Sequence, residues 1–160
     1  MLRIVLASLL VASCSGSPGG QTMNNSMNTQ KPEPAVQDSD VITQDIIARE
    51  PVANNTQIKH ILIGWAETET KDPRAAKRTK KDAEDLVRQI MTQIKGGADF
   101  DGLMKQYSED PGSAGSGRAY PVSPDAQLVI EFKQLGTRLK VGEVGVIASD
   151  YGFHIMKRVE

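Results

Sequence analysis

The chain changes character near residue 57, and this break limits what it can fold into more than any other feature. Residues 15–40, "SGSPGGQTMNNSMNTQKPEPAVQDSD", are rich in Ser, Gly, Asn, Gln and Pro with almost no large apolar side chains. Such a segment cannot bury enough surface to order itself. Residues 57–160, by contrast, carry regular apolar patterning. A core must therefore come from this second stretch, which is long enough for one domain but not for two. Residues 14–56 read as a tether, and a flexible coil of about 40 residues reaches roughly 35 Å. Within it, Val41, Ile42, Ile46 and Ile47 have the spacing of one short amphipathic helical stretch that rests on the domain before Pro51.

The N-terminus reads as a targeting segment. "MLRIVLASLLVASCSG" has a basic start at Arg3, an apolar stretch from Ile4 to Ala12, and small residues leading into Cys14. The apolar stretch is too short for a spanning helix, which needs roughly 20 residues. "VASC", residues 11–14, resembles the lipobox of bacterial lipoproteins, which implies a signal peptide over 1–13 and lipidation of Cys14. The expected location is the cell envelope, with the chain anchored through multiple acyl chains. In a host with two membranes, Ser15 after the cysteine implies sorting to the periplasmic face of the outer membrane.

Within 57–160 the two histidines of the chain sit in matching frames, "IKHILI" at 58–63 and "GFHIMK" at 152–157. Both read as strands. Period-two alternation puts Ile58, His60 and Leu62 on one face of the first, with Lys59, Ile61 and Ile63 on the other; in the second, His154 and Met156 share a face. Between them, "TKKD" at 79–82 has the form of a capping box ahead of an apolar stripe at Ala83, Leu86, Val87, Ile90, Met91 and Ile94, closed by Gly96 and Gly97. "ADFDGLMKQYS" predicts a second helix capped by Asp99, "EDPGSAGSG" a turn-rich loop, and "PDAQLVIEFKQLG" a third helix. "VGEVGVIASDYGFHIMKRV" predicts two strands joined at 150–152. These elements form an α+β domain with the first strand between later ones.

The near-balanced charge, −1 overall, gives no field that would recruit nucleic acid. One cysteine excludes a disulfide framework, and two histidines leave few metal ligands. Neither metal nor cofactor is expected, and the expected assembly is a monomer.

"KHILI", the capped helix ending "KGGADF", "YSEDPGSA", "LKVGEVG" and "YGFHIMKR", in this order and spacing, resemble a parvulin-type peptidyl-prolyl cis/trans isomerase over residues 57–160. The resemblance implies a four-stranded antiparallel sheet surrounded by about four helices, and isomerisation of Xaa-Pro bonds in polypeptides folding outside the cytoplasm. It also implies roles for single residues. His60 and His154 are the paired histidines of a hydrogen-bond network that Ser149 joins. Asp110 stands close to the substrate carbonyl, in what its "DPG" context makes an exposed turn. Leu128 and Phe132, one helical turn apart, form a proline cup, and Ala119 and Met156 complete the substrate-binding set.

One stretch departs from the family. Where parvulins read Gly-Gly-Asp-Leu-Gly, this chain has "GSGRAYP" at 115–121. Arg118 replaces the acid, Ala119 a cup-lining leucine, and Tyr120 a glycine; Ala119 is expected to widen the pocket and Tyr120 to crowd the backbone. The other reading is a non-catalytic, membrane-tethered chaperone or peptide-binding module of the same fold.

Overall fold

The computed structural model describes residues 39–160. The expected signal peptide over 1–13, the expected lipidation site Cys14 and the first part of the expected tether lie outside the described residues. The elements run α1 (Gln44–Ile47), β1 (Thr56–Ile63), α2 (Lys80–Lys95), α3 (Phe100–Tyr107), α4 (Pro111–Ser116), β2 (Tyr120–Val122), α5 (Ile130–Gly136), β3 (Val144–Ser149) and β4 (Gly152–Arg158), with a 3-10 turn at Ala75–Lys77. The four strands form one antiparallel sheet in the order β2-β1-β4-β3. The first strand thus lies between later ones, as its alternation and the order of elements predict. Among the described residues no helix is long and apolar enough to cross a membrane.

The pleat divides the strand residues as the period requires. Ile61, Ile63, Val146, Ala148, Phe153 and Ile155 pack on one face of the sheet against α2 and α3. Ile58, Ile147 and Met156 pack on the other against Val122, Phe132, Leu135 and Leu139. His60 pairs with Met156, and His154 with Leu62 and Ile147, so both imidazoles stand on the second face. The predicted capping box is formed: Asp82 N–H donates to Thr79 Oγ1 at 3.2 Å and Thr79 N–H to Asp82 Oδ2 at 3.1 Å. Asp99 caps α3 through the Gly102 N–H at 2.8 Å.

Two segments differ from their sequence reading, at 110–117 and 123–129. Residues 39–55, expected to end the tether in a short helical stretch resting on the domain, lie against it. Ile42 and Ile46 are buried, and Thr43 closes on the edge of β3 through its N–H to the Val146 carbonyl and the Val146 N–H to its hydroxyl, each at 3.0 Å. Arg49 pairs with Glu143 at 2.7 Å. The "DPGSAGSG" stretch, expected as a loop, begins with helix α4, because Asp110 accepts from the N–H groups of Gly112 and Ser113 and Pro111 suits the first helical position. The third helix is shorter than predicted. Residues 123–128 turn instead, with Ala126 N–H bonded to the Ser123 carbonyl and Leu128 N–H to that of Ala126, and Val129 is extended just before α5. Leu128 and Phe132 are therefore not on consecutive turns of one helix.

Candidate active site

Strands β1 and β4 carry His60 and His154 side by side, and a continuous hydrogen-bond chain runs through them. Ser149 Oγ lies 2.7 Å from His154 Nε2, His154 Nδ1 lies 3.3 Å from His60 Nδ1, and His60 Nε2 lies 3.1 Å from Asp110 Oδ2. Asp110 Oδ2 also accepts from the Tyr120 hydroxyl at 2.8 Å and from the Ser113 N–H at 2.8 Å. With an ionised carboxylate and neutral imidazoles, one assignment satisfies every contact. An acceptor-only carboxylate requires a proton on His60 Nε2, which leaves His60 Nδ1 as acceptor. His154 Nδ1–H then donates to His60, and Ser149 O–H donates to His154 Nε2. All the donors point toward Asp110.

The electrostatics follow from burial and from these contacts. His154 is 5% exposed, and burial, helped by the neighbouring His60, pushes its imidazole down to about 3. The hydrogen bond from His60 holds the Asp110 carboxyl far below the usual range; Tyr120 and the Ser113 N–H add to this against the opposing effect of burial. Burial first, then the Asp110 carboxylate, pushes the Tyr120 phenol up to about 12. The site therefore holds a fixed anion at Asp110 and a neutral imidazole at His154.

Local structure places each group. Ser108 Oγ accepts from the Leu62 N–H at 3.1 Å and bonds Ser113 Oγ at 2.8 Å, which ties the start of α4 to β1. This brings Asp110 to His60 across 50 residues of sequence. Asp110 is half-buried and caps a helix, so it is not the exposed turn residue that "DPG" suggests. Phe132 presents its ring nearly perpendicular to both imidazoles, at centroid distances of 5.0 Å from His60 and 5.5 Å from His154.

Above the imidazoles opens a cleft of about 220 Å³, lined by Leu62, Leu128, Val129 and Phe132 together with His60, His154, Asp110, Tyr120 and Tyr151. The expected set thus divides. His60, Asp110, Ser149 and His154 form one chain, and Leu128 and Phe132 line the cleft despite the shorter helix. Ala119 lines a separate depression beside Pro111 and Arg118. Met156 is fully buried in the core beneath. Tyr120, Val129 and Tyr151 line the cleft without having been expected there. Tyr120 reaches the cleft because it pairs with Ile58, which shares the face of His60, and this register is set by the folded sheet and not by any pattern in the sequence.

The family model described as the PPIC-type PPIASE domain matches residues 43–160. The chain belongs to the PPIC-type peptidyl-prolyl isomerase family. The match begins in the segment that lies on β3, ahead of β1. Among curated relatives, the foldase protein PrsA of Geobacillus kaustophilus is 39% identical over 75 residues, 46% of this chain and 27% of its own length. The chaperone SurA of Pseudomonas fluorescens is 32% identical over 108 residues, 66% of this chain and 23% of its own. The chain spans about a quarter of the length of these relatives. Among solved structures, PrsA of Bacillus cereus is 28% identical with a TM-score of 0.51, covering 73% of this chain and 38% of its own. The isomerase ESS1 of Candida albicans, 22% identical with a TM-score of 0.59 over 67% of this chain and 63% of its own, shares the fold. The parvulin-type sheet and the family expected from the sequence are both borne out.

Proposed function

We propose that this PPIC-type domain catalyses cis/trans isomerisation of Xaa-Pro bonds in polypeptide clients outside the cytoplasm, without metal or cofactor. The observation that carries the reading is the hydrogen-bond chain ending in an ionised carboxylate at an apolar, proline-sized cleft. Rotation about the amide faces a barrier of roughly 18–20 kcal/mol because resonance gives the C–N bond partial double character. The planar amide places negative charge on its carbonyl oxygen, and twisting removes it. A cleft of Leu128, Val129 and Phe132 that strips water from the carbonyl raises the planar form more than the twisted one. The Asp110 carboxylate beside that oxygen acts in the same sense, as a fixed charge that needs no reorganisation. His60, His154 and Ser149 hold this anion in place.

Relatives named as a foldase and a chaperone support polypeptide clients. The loop after β1 argues against phosphorylated clients. Arg74 is engaged by Asp72 at 2.7 Å and by the Ser108 carbonyl, while Glu67 and Glu69 would repel a dianion. The "VASC" motif supports a lipid anchor at Cys14, on the periplasmic face of the outer membrane in a host with two membranes. A protease-coupled assay with Xaa-Pro tetrapeptides tests the activity. Acceleration that requires Asp110 supports it, and peptide binding without acceleration would favour the tethered binding module. Cys14→Ser should release the chain from the membrane fraction, and a wild-type chain that is already soluble would exclude the anchor.

A further inference from the structure

We propose that Tyr120 is a positioning and specificity-determining residue of this site: its hydroxyl orients the Asp110 carboxylate, and its ring forms the cleft wall that alanine at 119 does not supply. The inference rests on the isomerase reading for its consequence, but its first half is a statement about geometry.

Four observations converge on Tyr120. Pairing of Tyr120 with Ile58 sends its side chain to the histidine face, while Ala119, one residue earlier, lines another depression. The Tyr120 ring meets His60 at a centroid distance of 5.2 Å and 79°, and Phe132 at 6.1 Å and 70°, so it closes an aromatic corner of the cleft. Its hydroxyl reaches the same carboxylate oxygen that His60 Nε2 and the Ser113 N–H approach. Finally, the space occupied by that hydroxyl is open only because residue 112 is glycine; a Cβ there would collide with the phenol oxygen. Gly112 and Tyr120 are thus sterically matched across α4 and β2. The phenol stays protonated up to about 12 and so remains a neutral donor over the whole working range.

Three donors on one carboxylate oxygen compete for two lone pairs. Removing the phenol leaves more of Oδ2 to His60 and frees the carboxylate to rotate. Tyr120→Phe should therefore move the His60 Nε2–H resonance downfield and lower kcat/KM about three- to tenfold, with peptide affinity kept because the ring remains. Gly112→Ala should give the same two changes by displacing the hydroxyl, and the double variant should equal either single one, since both break the same bond. Tyr120→Ala should in addition weaken binding of an Ala-Xaa-Pro-Phe peptide, followed by titrating the same resonance.

With two histidines in the chain, 15N-histidine labelling gives signals that are assigned directly. An unmoved His60 resonance in Tyr120→Phe, or additive effects of Gly112→Ala and Tyr120→Phe, would overturn the positioning role. Unchanged peptide affinity in Tyr120→Ala would overturn the wall. If the wild-type protein bound the peptide without accelerating isomerisation, the activity reading would fail, whereas the resonance and the affinity would still decide the role of Tyr120.

Discussion

Glu109 and Arg78 form an ion pair at 2.7 Å in which the carboxylate has no solvent exposure, while the adjacent Asp110 faces the cleft. Glu109 also accepts the Gly64 N–H at 2.7 Å, and its own N–H bonds the Leu62 carbonyl. Arg78 donates to the Gly64 carbonyl at 2.7 Å. The pair thus fastens the start of α4 to the end of β1, which is what sets Asp110 beside His60. Removing one partner of a buried pair typically destabilises by about 3–5 kcal/mol, whereas an apolar replacement of both is often neutral. Glu109→Ala should therefore lower the urea midpoint sharply, and Arg78→Met with Glu109→Leu should recover most of the loss. A Glu109→Ala protein as stable as wild type would show that the pair contributes nothing.

Asp110 combines two tasks, which two substitutions separate. Asp110→Asn keeps one oxygen, enough to cap α4 through the Ser113 N–H, but removes the charge. It should lower the melting temperature by less than Asp110→Ala does and lower kcat/KM about tenfold, equivalent to about 1.4 kcal/mol in the barrier. Asp110→Ala also removes the cap, so it should further destabilise the domain by about 1 kcal/mol. Full activity in Asp110→Asn would show that the carboxylate is only a cap.

Acid should destabilise the domain in two steps. Unfolded, the His154 imidazole takes up a proton near its ordinary 6.5; folded, it does so only near 3. Between these values the unfolded state binds more protons, so stability falls as pH falls through that window. The folded Asp110 carboxyl lies below its ordinary 3.8, so its contribution is present above that value and is lost at lower pH. Thermal midpoints should be flat from pH 8 to 7 and decline from about 6.5 downward. His154→Asn should flatten the first part of the decline. A wild-type profile level down to pH 4 would contradict the buried, neutral imidazole.

The segment before β1 should behave as part of the domain. Ile46 is 4% exposed and packs with Leu135 and Leu139. Ile46→Ala should therefore destabilise by about 2–4 kcal/mol, read from the urea midpoint. An unchanged midpoint would return residues 39–55 to the tether.

Features that act over a few residues are legible in the chain alone. The pleat has period two, so "IKHILI" had to put His60 and Ile61 on opposite faces, and "GFHIMK" His154 and Ile155. The Thr79–Asp82 box and the Asp99 cap are equally local, because each bonds an N–H within one turn. Elsewhere local preference is weak and long-range contacts decide. "DPGSAGSG" carries ordinary turn residues, and it becomes helical where Asp110 caps it and Ser108 and Ser113 tie it to Leu62. "PDAQLVI" has helical composition, but residues 123–128 turn and Val129 stays extended, so α5 begins only at Ile130. Packing across the whole domain set that Tyr120 rather than Ala119 walls the cleft and that Met156 lies beneath it. Asp110 and His154 reach His60 across 50 and 94 residues. Contacts at such separations depend on strand register and on how α4 and α5 seat against the sheet, and these are set by the packing of the whole domain.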